Sequence, residues 1–190
     1  ECAKCSDSEV VHSDVWGPAQ TATFGGFRYY VLFIDDFSRH TWMYPMLHKS
    51  EVFGQFKKLK SEVEKATGRH VHCLQSDGGK EYFSDDFTTY LRKEGIRQEF
   101  TCRHTQQQND VAERKNRHIL EVARAMMNEK HMPKLYWAEA ANMAVYLMNR
   151  CTTSGVNEVT PHEKYFRKKP DLSHTRIFGA IAYVHILDEK

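Results

Sequence analysis

Three carboxylates stand out by position. Asp14 lies inside the apolar run Val10-Val11-His12-Ser13-Asp14-Val15-Trp16. Asp77 ends a second such run, from Val71 to Ser76, and precedes Gly78-Gly79. Glu113 stands at the head of a basic amphipathic stretch that continues through Arg114, Lys115 and Arg117. Three hard oxygen donors meeting at one point suit Mg²⁺ or Mn²⁺, which favour oxygen ligands and keep some of their waters. Two such ions about 3.5–4 Å apart can activate a water or a 3′-hydroxyl and stabilise the leaving oxygen of a phosphodiester, without a covalent protein nucleophile. The catalytic and metal-ligating set expected on this reading is Asp14, Asp77 and Glu113. The glycines after Asp77 would let a nucleic-acid backbone come close.

Plainer readings compete. The chain holds 25 acidic residues, so two at a chosen separation are easily found. Glu113 could complete a capping box with Asp110, since Asp-x-x-Glu before an apolar face marks a helix start. Asp35 and Asp36 read as turn carboxylates, with Asp36 able to pair with Arg39. Asp85 and Asp86 read as partners of a helix dipole. In the basic stretch, Glu113, Asn116, Arg117 and Leu120 share one helical face. An acid, an amide and a guanidinium there suit metal and phosphate binding together. Arg114 and Lys115, just behind Glu113, would hold a nucleic-acid backbone over the metals. Gln107 and Asn109, in the polar loop before the helix, could touch the same partner. The alternatives are a solvated charged face and a mobile loop.

These residues need elements to position them. Val10–Trp16 reads as a strand ending at Gly17-Pro18. Phe27–Ile34, dense in aromatic and β-branched residues, reads as a buried strand, and Thr41–Met46 as its return. Ser50 is placed to cap a helix burying Phe53, Phe56, Leu59 and Val63, stopped by Gly68. A short strand over 71–76, a helix capped by Ser84 and a strand over 96–100 follow. Strands one and four can then lie side by side, with a helix over about 110–130 packed near them through Ala112, Ile119, Ala123 and Met126. A further helix opens at Pro133. One or two helical turns are expected around residues 160–166, and a strand around 177–186. The fold class expected is α/β: a mixed five-stranded sheet flanked by helices.

Composition sets bounds without deciding the function. At 190 residues and 41% apolar, the chain is the size of one domain with a substantial core. A net charge of +2 does not by itself argue for a nucleic-acid partner, so the local distribution must carry that point. Five cysteines without disulfide-like spacing suit a reduced, intracellular setting. There is no signal-peptide pattern, and no apolar run reaches the roughly 18–20 residues of a membrane span. Cys2 and Cys5 make half of a zinc site, short of the usual four ligands.

The motifs, in order, resemble the integrase catalytic core of copia-type LTR retrotransposons. They are His12-Ser13-Asp14-Val15-Trp16-Gly17-Pro18, Ile34-Asp35-Asp36-Phe37-Ser38-Arg39, Ser76-Asp77-Gly78-Gly79-Lys80-Glu81-Tyr82 and His104-Thr105 through Arg117. Further on come Tyr136-Trp137-Ala138-Glu139-Ala140, Thr160-Pro161-His162-Glu163 and Arg176-Ile177-Phe178-Gly179. The resemblance implies an RNase H-like fold and an Asp, Asp, Glu triad with 35 residues between the last two, an interval that Asp77 and Glu113 match. It implies Mg²⁺ (or Mn²⁺) as cofactor, processing of element DNA 3′ ends and their joining to target DNA. DNA partners, a homo-oligomer and no membrane follow from it, as does a site of action in virus-like particles and the nucleus. Asn116 and Arg117 match positions facing the active site and donor DNA.

The resemblance also divides the chain: 1–8 as the remnant of an N-terminal zinc-binding domain, 9–152 as the core, and 153–190 as an extension. The family's loop usually reads His-Thr-Pro-Gln-Gln-Asn-Gly; here Gln106 replaces Pro and Asp110 replaces Gly. A loosened loop and an added charge keep open a second expectation, a catalytically silent nucleic-acid-binding remnant. A third is a nuclease acting on RNA–DNA hybrid by the same chemistry.

Overall fold

The structure is a computed structural model, and it describes residues 10–100, 106–153, 156 and 158–183. Five strands form one sheet: β1 Val10–Trp16, β2 Tyr29–Asp35, β3 Thr41–Met46, β4 Cys73–Ser76 and β5 Arg97–Phe100. The order across the sheet is β3-β2-β1-β4-β5. β1, β2 and β3 form the expected antiparallel meander. β4 runs parallel to β1, and β5 parallel to β4, so the sheet is mixed. The helices are α1 Val52–Thr67, α2 Asp85–Lys93, α3 Gln106–Glu129, α4 Trp137–Arg150 and α5 Pro161–Phe166.

Strand alternation explains why helices cover both faces. Successive side chains of a strand point to opposite sides. In β2, Val31 and Phe33 enter a core with Phe56 and Leu59 of α1 and Phe87 and Leu91 of α2. Tyr30 and Leu32 enter the opposite core, with Ile119 and Ala123 of α3 and Ala140, Ala141 and Ala144 of α4. Tyr30 to Ile34 are all buried, which is why this strand reads as an unbroken apolar run. The alanine face of α4 lets two helices approach closely over one side of the sheet. Gly68 ends α1 with φ +69, in the left-handed region expected of a helix-terminating glycine. Thr160 caps α5 by accepting the Glu163 N–H at 3.1 Å.

Three expectations need correcting. Ser50 does not cap α1. It falls in a short 3₁₀ turn, Lys49–Glu51, where the Glu51 carboxylate accepts the backbone N–H groups of Leu47 (3.0 Å) and His48 (2.8 Å). The helix bearing Glu113 begins at Gln106, not near Asp110. Glu113 is therefore well inside α3 rather than in its first turn, and Asp110 cannot be the residue before the helix that a capping box requires. With neither Pro nor Gly in Gln106–Asp110, nothing in that stretch interrupts a helix. Finally, residues 177–183 are turns and irregular chain, not strand. The five-stranded sheet is complete without them, and Phe178 packs instead against the α3/α4 core. The Cys2/Cys5 pair lies outside the described residues.

Candidate active site

The sheet order brings Asp14 and Asp77 together. Ser13 pairs with Ser76 across the parallel β1–β4 ladder, so Asp14 and Asp77 each stand one residue further along. Asp14 is opposite Leu32 in the antiparallel β1–β2 ladder. It therefore shares Leu32's face of the sheet, the one covered by α3. Asp77 leaves the sheet at the end of β4, exposed, with its Oδ1 accepting the Gly79 N–H at 3.1 Å. Gly78 between them has φ +74, a conformation that glycine adopts without steric cost. The loop is tied down at Tyr82, which is fully buried. Its hydroxyl is hydrogen-bonded to Ser13 Oγ at 2.6 Å, and its carbonyl accepts Gln98 Nε2 at 2.7 Å.

Helix α3 supplies the third carboxylate. Glu113 is exposed, and Asn116, almost one turn later, is buried at 6% exposure. Asn116 Nδ2 donates to Asp14 Oδ2, and Asn116 Oδ1 accepts the Tyr30 hydroxyl at 2.7 Å. Tyr30 is held in turn by its ring, stacked on Trp16 at 5.2 Å and 23°. A chain of two hydrogen bonds thus runs from β2 through α3 to Asp14 in β1. The Asp14 carboxyl is pushed above its ordinary range, first by burial and then by the negative charges of Asp77 and Glu113, against the lowering effect of Asn116. Asp77 and Glu113 thus both lie close enough to act on Asp14.

Their oxygen chemistry and mutual repulsion suit a hard divalent cation. As the side chains stand, however, no group of three or more His, Cys, Asp or Glu among the described residues could hold a metal ion. Asp14 Oδ2 is engaged by Asn116, and Asp77 Oδ1 by Gly79.

The basic residues divide, because a helix advances 3.6 residues per turn. Arg117 is exposed on the Glu113 side of α3. Arg114 and Lys115 are not over the carboxylates as expected. They face the other way, lining a cavity with Arg39 and His118. Burial, with the Arg39 guanidinium nearby, brings the Lys115 ammonium down to about 8. The side chains of Gln107 and Asn109 lie outside the described residues. Asp36 pairs with Arg39 at 2.9 Å, as expected, and also takes a hydrogen bond from His12 at 2.9 Å. Reading the sequence missed Tyr30, whose run marked it only as core. A tyrosine hydroxyl in a fully buried strand has to find a partner, and that was the available signal.

A family model described as the integrase core domain matches residues 7–106, which include Asp14 and Asp77 and end before Glu113. The retrovirus-related Pol polyprotein from transposon TNT 1-94 of Nicotiana tabacum is 41% identical over 182 residues, covering 96% of this chain. The corresponding polyprotein from transposon RE2 of Arabidopsis thaliana is 36% identical and covers 92% of this chain. The chain spans only 14% and 12% of the lengths of these two relatives. Among solved structures, the HTLV-2 integrase catalytic core domain in complex with magnesium superposes with a TM-score of 0.63 at 17% identity, covering 83% of this chain and 96% of that one. A simian T-cell lymphotropic virus intasome chain gives 0.66 at 12% identity, covering 96% of this chain and 60% of that one. At these identities the two structures speak for the fold, which is that of integrase catalytic cores.

Proposed function

The chain belongs to the integrase core domain family, and on that premise we propose that it is the catalytic core of a copia-type retrotransposon integrase, a polynucleotidyl transferase that trims element DNA 3′ ends and joins them to target DNA. The core proper is taken as residues 9–152, with 153–190 as an extension. The observation that supports the reading is geometric: Asp14 and Asp77 each stand one residue beyond the paired Ser13 and Ser76, and α3, which bears Glu113, reaches Asp14 through the Asn116 amide. On this reading the three carboxylates, from a strand, a strand end and a helix, would converge once metal binds, and the Tyr30–Asn116 hydrogen bonds hold the innermost one.

Asp14, Asp77 and Glu113 would hold Mg²⁺ (or Mn²⁺). Bound there, the ion supplies Lewis-acid activation of an oxygen nucleophile and charge relief for the leaving oxygen. Asn116 keeps Asp14 in one orientation and, by donating to it, favours its charged form. Tyr82 and Ser13 fix the start of the Asp77 loop relative to β1. Arg117, exposed one turn after Glu113, would take a DNA phosphate. Gln107 and Asn109 stand in the first turn of the same helix, where they can meet the same DNA. The simian T-cell lymphotropic virus relative is part of an intasome, and the HTLV-2 core is described in trimeric and dimeric forms. A homo-oligomer on DNA, acting in virus-like particles and then the nucleus, is the matching proposal here.

The test is strand transfer, or disintegration of branched DNA, with Mg²⁺ or Mn²⁺. Asp77→Asn and Glu113→Gln should each abolish activity while leaving the circular dichroism and DNA binding of the protein intact. Metal-dependent joining that persists in both variants would overturn the triad.

A further inference from the structure

The cavity behind α3 has no part in the chemistry above. It has a volume of about 560 Å³ and lies between α3, the turn after β2 and the end of α4. Arg39, Arg114, Lys115 and His118 line it, with Ile34 and Met148 among its apolar walls. None of the three carboxylates is in its lining. Arg39 pairs with one carboxylate among the described residues, that of Asp36, which it shares with His12. Lys115 has no acidic side chain within 4.0 Å among the described residues. The Arg39 guanidinium and the Lys115 ammonium share one concavity with Arg114 in its lining, and an anion entering it would relieve the repulsion between like charges.

We propose that this cavity is a second phosphate site, which takes a backbone phosphate of the bound DNA on the side of α3 opposite the carboxylates. A phosphate offers several acceptor oxygens, and guanidinium groups engage them in pairs with an ammonium adding charge. A helix with its side chains is about 10–12 Å across, close to the roughly 12 Å width of a duplex major groove. One helix can therefore present Glu113 and Arg117 to the reacting phosphate while Arg114 and Lys115 hold another across the groove. The site rests on the reading of the chain as a DNA-joining core. It deepens that reading by making α3 a two-sided DNA element.

The experiment uses the full chain and a short fluorescent duplex in EDTA, so that binding is measured apart from catalysis, over a series of salt concentrations. Lys115→Met, which keeps the aliphatic stem, and Arg114→Gln should each weaken binding alike for unrelated sequences. Each should also lower the salt slope by about 1, as loss of a phosphate contact does, and Lys115→Arg should restore both. Unchanged affinity and slope in folded Lys115→Met and Arg114→Gln, while Arg117→Gln alters both, overturns the cavity site and leaves the integrase reading standing. A wild-type chain that binds no duplex overturns both. Inorganic phosphate alone is titrated calorimetrically as a further arm. If it binds through Lys115 while the duplex slope stays unchanged, the cavity takes free anions and the DNA assignment fails.

Discussion

The Tyr30 hydroxyl donates to Asn116 Oδ1 at 2.7 Å, and that bond decides which way round the amide stands. With its oxygen committed to Tyr30, Asn116 can turn only its NH₂ toward Asp14, as it does. An amide flipped the other way would set oxygen against carboxylate. The orientation of the innermost carboxylate in β1 is thus set by a residue of β2 that lies outside the three carboxylates.

Tyr30→Phe tests this relay. The ring and its stacking on Trp16 remain, but Asn116 Oδ1 is left buried without its donor, which costs roughly 1–3 kcal/mol. Urea denaturation should show a loss of that size. Strand transfer should fall while duplex affinity stays the same. A variant as stable and as active as wild type would mean that the amide is oriented by something else.

Divalent metal should stabilise the fold by linkage. At ten times its Kd, an ion that binds only the native state adds about 1.4 kcal/mol, and each kcal/mol is worth roughly 2–4 °C for a domain of this size. Mn²⁺ should therefore raise Tm by several degrees in wild type and much less in Asp77→Asn or Glu113→Gln. Differential scanning fluorimetry reads this directly. An equal rise in all three proteins would place the ion elsewhere.

Acid should act through His40. Burial, with His162, Arg150 and Lys115 nearby, brings its imidazole down to about 3 from an ordinary 6.5. The unfolded chain therefore binds the proton first, and the stability His40 contributes is present above the ordinary histidine value and lost as pH falls from 6.5 toward 3. His40→Phe keeps a ring in the aromatic cluster with Trp42 and Tyr165 and removes the titration. Urea midpoints at pH 7, 5 and 4 should show the variant gaining on wild type as the pH drops. A constant difference would show that His40 does not titrate on unfolding.

What the sequence made legible follows physical range. Asp14 and Asp77 could be located because strand ends and glycines are local signals, and the parallel β1–β4 pairing follows from element order. The helical setting of Glu113 was less legible, since Asp110 resembles a cap and nothing local marks a helix start at Gln106. Adjacency to Glu113 does not put Arg114 and Lys115 on its face, because each residue turns a helix by about 100°, and both line the cavity with Arg39 and His118. The Tyr30–Asn116 contact spans 86 positions in the chain, and no local pattern encodes it.

Gly78 gives a case where two costs can be separated. It follows Asp77 with φ +74. A Cβ added there would meet Phe100 at 3.7 Å and 3.9 Å and Phe83 at 3.9 Å, which is ordinary contact rather than a clash. The cost of Gly78→Ala is therefore backbone strain alone, about 1–2 kcal/mol for an L-residue in the left-handed region. If the loop relaxes to escape that strain, Asp77 loses the Gly79 N–H that holds its Oδ1, and activity falls further than stability accounts for. Gly78→Asn should recover part of both, because asparagine tolerates that region better. Denaturation and strand-transfer rates for the two variants, taken together, decide it. Alanine and asparagine equally impaired would mean that the site needs the missing side chain, and hence close approach of the substrate, rather than the conformation.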